Sequence, residues 1–203
     1  MSFTQLCCRV FCQAINDYHV KDDVEAYIGN PYERNEIENR LYLKCWIDTM
    51  RWHFEDMIRN PHIDPVDALS LIRRIERSDQ DRTDIVEQID SYFMHKYSSV
   101  RTLPDAAVNT ESPAWAIDRL SILELKIYHM REQTVRTDVP HEHTARCKDR
   151  LAILIEQEHD LSSAIDTLLD DIAAGRKRMK VYRQIKMYND PYTNPALHKK
   201  YKC

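Results

Sequence analysis

Glycine is nearly absent: 2 of 203 residues. Sheets and tight turns rely on glycine for positive-φ positions, so a β-rich or dinucleotide-binding α/β fold is disfavoured. Two glycines can build neither a G-x-G-x-x-G turn nor a G-x-x-x-x-G-K phosphate loop, which excludes nucleotide binding through a glycine-rich loop. No apolar run approaches the roughly 18 residues of a membrane helix. The first residues, Met1 to Cys8, carry no basic n-region and do not read as a signal peptide. Cys7, Cys8, Cys12, Cys45, Cys147 and Cys203 form no C-x-x-C pair and no disulfide framework. These absences predict a cytoplasmic protein without a membrane span. Cys8 and Cys12, one helical turn apart, could share a metal; small core thiols are the simpler reading.

What is present favours helices. A hydrophobic fraction of 43% beside 31% charged residues suits apolar stripes backed by solvated charged faces. The length fits one all-α domain over residues 1–203, a bundle of about six or seven helices. The first is expected from Phe3 to Tyr18, with Leu6, Val10 and Ala14 on one face. Asn35 and Glu38 offer a capping box for a second helix ending near Asn60-Pro61. Asp64-Pro65 opens a third pattern running to Tyr97, with a break expected near Ser78. After the longest loop, 98–112, Ser112-Pro113 starts a helix to Arg136. Another runs from Thr144 to Ala174, stopped by Gly175. A last helix is expected over 176–188, followed by a loosely held tail, 189–203. A short internal match, Asp81–Glu87 with Asp118–Glu124, raises a weak duplication of the helices near 79–97 and 113–136.

Polar residues on apolar stripes are the informative ones. The helix near 113–136 is apolar almost all round, which predicts a central position. Its polar residues Asp118, Arg119, Ser121, Glu124, Lys126 and His129 must then face either a satisfied internal network or a wet cleft. Asp79 and Arg82 sit on the stripe of the third pattern, close enough to pair. In the second helix, Asp56 lies three residues from His53 and could orient its imidazole. Glu55, Asp56, Glu87 and Asp90 are the carboxylates that could converge on a divalent metal such as Mg²⁺, as helical bundles build such sites. The bland alternatives are solvated ion pairs and a satisfied histidine. No spacing suggests a nucleophile, base and orienting acid.

Charge is split along the chain. From Arg176 to Cys203 there are nine Lys or Arg and one acid, against a formal net charge of −4 overall. Interleaved with Tyr182, Tyr188, Tyr192 and Tyr201, that segment could hold phosphates or dock on the acidic body. The overall negative charge disfavours general nucleic-acid binding.

Several segments, Trp52-His53-Phe54-Glu55-Asp56-Met57-Ile58-Arg59, Gln80-Asp81-Arg82-Thr83-Asp84, Glu111 to Leu123, Lys126-Ile127-Tyr128-His129-Met130 and Lys186-Met187-Tyr188-Asn189-Asp190-Pro191, resemble domain-of-unknown-function family 4254, known mostly from Bacteroidetes. The resemblance spans nearly the whole chain and implies Asn where this chain carries Asp79. Ile117 to Lys126 is also similar to the Asp-Lys-Leu-Thr-Ile-Leu-Glu-Ile-Lys segment of another small family. Both resemblances imply a setting near glycosyltransferases of surface-polysaccharide pathways, and neither supplies an activity.

Three functions stay open at this stage. The first is an accessory protein of surface-polysaccharide or lipopolysaccharide assembly. It would bind an anionic sugar-phosphate, a nucleotide-sugar or a partner enzyme, with Arg82, Arg119 and Lys126 on the anion and His53, Asp118, Glu124 and His129 forming the polar core. The second is a metal-dependent phosphohydrolase resembling the all-α nucleotide pyrophosphohydrolases, built on Glu55, Asp56, Glu87 and Asp90. The third is a scaffold whose buried charges fix helix register.

Overall fold

The computed structural model describes residues 1–197, so Lys199, Lys200, Tyr201, Lys202 and Cys203 of the basic tail lie outside the described residues. Five α-helices, not six or seven, make up the described bundle: α1 (Phe3–Lys21), α2 (Ile37–Ile58), α3 (Pro65–Lys96), α4 (Pro113–Thr134) and α5 (His141–Ala173). None is long and apolar enough to cross a membrane.

Local signals set most helix starts. Ser2 and Gln5 form a reciprocal capping box on α1. Asp64 accepts from the backbone of Val66 and Asp67 ahead of Pro65, and Ser112 accepts from Trp115 ahead of Pro113. The capping box expected at Asn35 and Glu38 is absent: α2 begins at Ile37, behind Glu36, with no side-chain cap. α5 begins at His141, directly after Pro140, so His141 and His143 are helical and not in the linker.

α3 is continuous across Ser78. The buried Ser78 hydroxyl donates to the carbonyl of Ile75 at 2.8 Å, so the side chain satisfies itself on its own helix and creates no break. The first half of α3 leaves Val66, Leu69 and Ile72 exposed, whereas beyond Ser78 Val86, Ile89 and Phe93 are buried and Asp79 and Arg82 half-buried.

α4 packs against all four other helices, the central position that its all-round apolarity predicts. Its buried face, including Ala114, Ile117, Leu120 and Leu125, meets Val10, Phe11 and Ala14 of α1, Cys45 and Trp46 of α2, Val86 and Ile89 of α3, and Ile165 and Leu169 of α5 in one core. Thr4 ties the start of α1 to α5, its hydroxyl donating to Asp166 at 2.6 Å. The internal sequence match does not create equivalent faces. Asp118 is buried where Asp81 is exposed, and Arg82 turns inward where Arg119 turns out.

Beyond α5 the chain is not helical as expected. It forms β2 (Lys177–Arg178), parallel to β1 (Ala107–Val108), then an extended strap ending in a short 3₁₀ turn, Met187–Asn189. Val181, Tyr182 and Ile185, interleaved with basic residues, suit extended backbone better than helix. The strap lies along α3: Gln184 donates its N–H to Glu87 at 3.2 Å, and Lys186 donates to the side chain of Asp79 at 2.8 Å.

Gly175 makes this path possible. The amide of Arg176 bonds the carbonyl of Asp171 at 2.8 Å, and that of Gly175 bonds Ile172 at 3.0 Å, a Schellman ending with Gly175 at φ 74°. A Cβ there would lie 2.5 Å from the carbonyl oxygen of Arg101. Gly175→Ala is therefore expected to lower the unfolding free energy by about 1–3 kcal/mol, read by urea denaturation. An unchanged midpoint would contradict the close approach.

Candidate functional site

Three helices meet at a buried charge cluster. Lys44 of α2 is fully buried, yet its ammonium contacts three oxygens: the side chain of Asp48, Asp118 Oδ1 at 3.0 Å and the backbone carbonyl of Asp118 at 2.9 Å. Arg82 of α3 reaches Asp118 through one terminal nitrogen and lies 3.5 Å from Asp48 through Nε. Ser121 of α4 donates to Asp48 at 2.6 Å. Two cations and two carboxylates thus neutralise one another across α2, α3 and α4. Burial pushes the Asp48 carboxyl up from its ordinary range, with Lys44 opposing it.

The cluster extends outward through Asp79, 3.7 Å from Arg82, 3.2 Å from Arg51 and 2.8 Å from Lys186. Burial alone would raise the Asp79 carboxyl; the hydrogen bond and charge of Lys186, with Arg51 and Arg82, outweigh it and hold it below the usual carboxylate range. The strap is thereby anchored on the same ion-pair chain. Lys44 escaped the sequence reading. Its signal was there: a lone charge between Leu43 and Cys45, four residues before an acid in an otherwise apolar turn.

On its outer side the cluster opens into a cleft between α4 and α5, about 1060 Å³ in volume. Arg82, Arg119 and Lys126, the three basic residues proposed for an anion, all line it, together with Asp118 and Lys177. Arg119 and Lys126 lie two turns apart on one face of α4, and α5 supplies Gln157, Asp160, Ser163 and Thr167 opposite. Arg119 is held by Glu111 at 3.0 Å, and Arg82 by the buried aspartates. Among the described residues neither Lys126 nor Lys177 is in an ion pair.

The other polar residues expected together separate. Glu124 turns to α1, where Cys12 donates to it at 3.7 Å, and burial pushes its carboxyl up. Cys8 bonds Glu158 at 3.5 Å. Cys12 is exposed and Cys8 half-buried, so neither is a core thiol, whereas Cys7, Cys45 and Cys147 are. His53 and His129 do meet, joined by His19 from the end of α1: His53 Nε2 lies 3.3 Å from His19 Nε2, and the His53 and His129 rings are 5.8 Å apart. His53 is therefore engaged by a second histidine and not by a hydrogen bond to Asp56. Trp52 stacks on His129 at 4.9 Å, while Trp46 is a buried core anchor.

The four-carboxylate metal set does not assemble. Among the described residues, the groups close enough to share an ion are His19 with His53 and His129, and Cys8 with Glu124 and Glu158. Glu55 pairs with Arg59 at 2.8 Å, and Asp56 is exposed. Glu87 accepts from the strap. Asp90 is buried as a cap for α4, accepting from the Ser112 hydroxyl at 2.7 Å and the Ala114 amide at 3.3 Å. Helical spacing placed the pairs correctly on their own helices; the helices direct them to different neighbours.

Two outcomes follow from this geometry. Lys44→Met leaves two buried aspartates facing one arginine and is expected to destabilise the protein by about 3–5 kcal/mol in urea unfolding; a change below about 1 kcal/mol would mean the cluster is dispensable. Burial, reinforced by His19 and His129, depresses the His53 pKa below its ordinary 6.5. The unfolded chain therefore takes up that proton first, so the contribution of His53 is present above pH 6.5 and is lost as pH falls below it. Urea midpoints are expected to drop more steeply through this range for the wild type than for His53→Asn; parallel pH profiles would refute this.

No curated protein and no solved structure matches the chain. Residues 38–181, which include Lys44, Asp48, Arg82, Asp118 and the cleft residues of α4 and α5, match the family described as protein of unknown function, DUF4254. With that match covering well over half of its length, the chain belongs to the DUF4254 family.

Proposed function

We propose that the protein is a cytoplasmic binding protein for an anionic sugar-phosphate or nucleotide-sugar, serving surface-polysaccharide or lipopolysaccharide assembly. The observation that carries this reading is the α4–α5 cleft, where Arg82, Arg119, Lys126 and Lys177 share one wall system. Its volume is at the upper end of small-molecule pockets, large enough for a nucleotide-sugar. The lining is mixed, and a sugar-phosphate needs a mixed lining. Lys126 and Lys177 supply cationic donors for phosphate oxygens. Gln157, Asp160, Ser163 and Thr167 supply the acceptors and donors that sugar hydroxyls require. Arg119, exposed and held among the described residues by Glu111 alone, can exchange that surface pair for a ligand phosphate at little cost. Arg82 is committed to Asp118, and its role is to fix the floor of the cleft. The glycosyltransferase setting implied by the family resemblance puts sugar phosphates first among anions.

The test is thermal and calorimetric titration of the whole chain with uridine-diphosphate sugars and hexose 1-phosphates, without added metal. A ligand at about a hundred times its dissociation constant stabilises the fold by roughly 2.7 kcal/mol. Lys126→Glu, at an exposed residue, and Lys177→Glu, at a half-buried one, are expected to abolish the shift, and added salt to weaken it. The reading fails if nothing in the panel shifts the transition, or if a shift persists unchanged in both variants.

A further inference from the structure

On another side of α4, three imidazoles converge from three helices: His19 at the end of α1, His53 in α2 and His129 in α4. One ring nitrogen of each lies within 4.8 Å of the other two. We propose that His19, His53 and His129 form a three-histidine site for a divalent transition metal, Zn²⁺ foremost, with a fourth position open to water or an anionic ligand oxygen.

The tautomers of His19 and His129 are already set for it. His19 Nδ1 lies 2.7 Å from the carbonyl oxygen of Ile15. A carbonyl only accepts, so Nδ1 carries the hydrogen and the lone pair of neutral His19 sits on Nε2. His129 repeats the arrangement with a carboxylate: Nδ1 is 2.9 Å from Glu132 Oε2, and Nε2 is buried with no hydrogen-bond partner. A histidine whose far nitrogen donates to a carbonyl or carboxylate is how proteins orient an imidazole toward a metal. His53 Nε2 lies 3.3 Å from His19 Nε2 and donates to it without metal; it completes the set once its hydrogen sits on Nδ1.

That separation has a direct meaning. Zinc–nitrogen bonds of about 2.0–2.1 Å in tetrahedral geometry place two ligand nitrogens about 3.3 Å apart. The His19–His53 edge already has this length, and His129 requires only side-chain adjustment to close the triangle. The rings are also held in plane by packing: Tyr18 stacks on His53 at 5.0 Å, Tyr128 on His19 at 4.4 Å and Trp52 on His129 at 4.9 Å. Each ligand is thus fixed by one aromatic partner, the supporting arrangement that a metal site needs. Neutral imidazoles suit zinc and its neighbours in softness, whereas Mg²⁺ prefers oxygen ligands. Three protein ligands on half-buried side chains match the open type of zinc site, not the closed structural type with four.

The experiment uses the full chain, stripped with a chelator, and titrates Zn²⁺ and Mg²⁺ separately by calorimetry, with Co²⁺ absorption as a report on tetrahedral nitrogen coordination. One Zn²⁺ per chain is expected, raising the thermal midpoint, with no comparable Mg²⁺ binding. His129→Gln is expected to abolish the stoichiometric site. Glu132→Gln, a change at an exposed side chain that leaves all three ligands in place, is expected to weaken Zn²⁺ about 10- to 100-fold. Cys8→Ser is expected to leave binding unchanged, which separates this site from the Cys8, Glu124 and Glu158 group. Absence of saturable Zn²⁺ binding by the wild type overturns the proposal. So does binding that survives both His129→Gln and Glu132→Gln undiminished, or binding lost in Cys8→Ser instead.

Discussion

Burying a lysine ammonium without compensation would cost several kcal/mol, and Lys44 is fully buried. Its position is tolerable only because Asp48, one turn along the same helix, and Asp118, on a different helix, both reach it. Asp118 in turn needs Arg82, since one cation cannot neutralise two carboxylates. The requirement passes from α2 to α4 to α3, so all three helices must adopt one mutual register. Arg82 then contacts Asp79, and Asp79 holds Arg51 and Lys186. A constraint that begins with one buried ammonium therefore reaches the strap after β2, more than a hundred residues further along the chain.

The same constraint shapes the cleft. Because Asp118 faces inward to Lys44 and Arg82, the neighbouring Arg119 must face out, and Lys126, two turns later, shares its side of α4. Opposite them α5 contributes hydroxyls, an amide and acids, and Lys177 enters from β2 only because Gly175 turns the chain back at φ 74° against the carbonyl of Arg101. A floor of mutually neutralising ion pairs lies beneath a wall with two lysines outside any ion pair among the described residues. That division of labour distinguishes charges that hold the fold from charges available to a ligand. The histidine cluster stands apart from both, where the ends of α1 and α2 meet the second half of α4.

Helix identity was legible in the residues themselves. The Asp64-Pro65 and Ser112-Pro113 starts, the Gly175 stop and the all-round apolarity of α4 are local signals, and each is realised within a turn of its expected place. The errors are also local in origin. Ser78 looked like a break, but its hydroxyl bonds Ile75. Asn35 and Glu38 have the spacing of a capping box, but α2 starts at Ile37 behind Glu36, with no side-chain cap. The segment after Gly175 is rich in basic residues and was read as helix, whereas tertiary contacts to Glu87 and Asp79 pull it straight.

The candidate site was legible in part, and the limit is physical. The spacing of three or four residues that brings two side chains onto one helical face is a property of the chain, so the Asp79–Arg82 pair and the shared face of Arg119 and Lys126 could be read directly. Which helix lies opposite is a property of packing. Glu124 therefore went to the cysteines of α1, Asp90 to the cap of α4, and Glu55 to its own Arg59, although Glu124 had looked like part of the polar core and Asp90 and Glu55 like parts of one metal set. His19 was not singled out because nothing near it in the sequence marks it, yet it completes the pair of His53 and His129. Sequence determined the helices, their ends and the sign of each face. Only the tertiary structure decided which charges met, because ion pairing and ligand convergence depend on distances between residues that no local period relates.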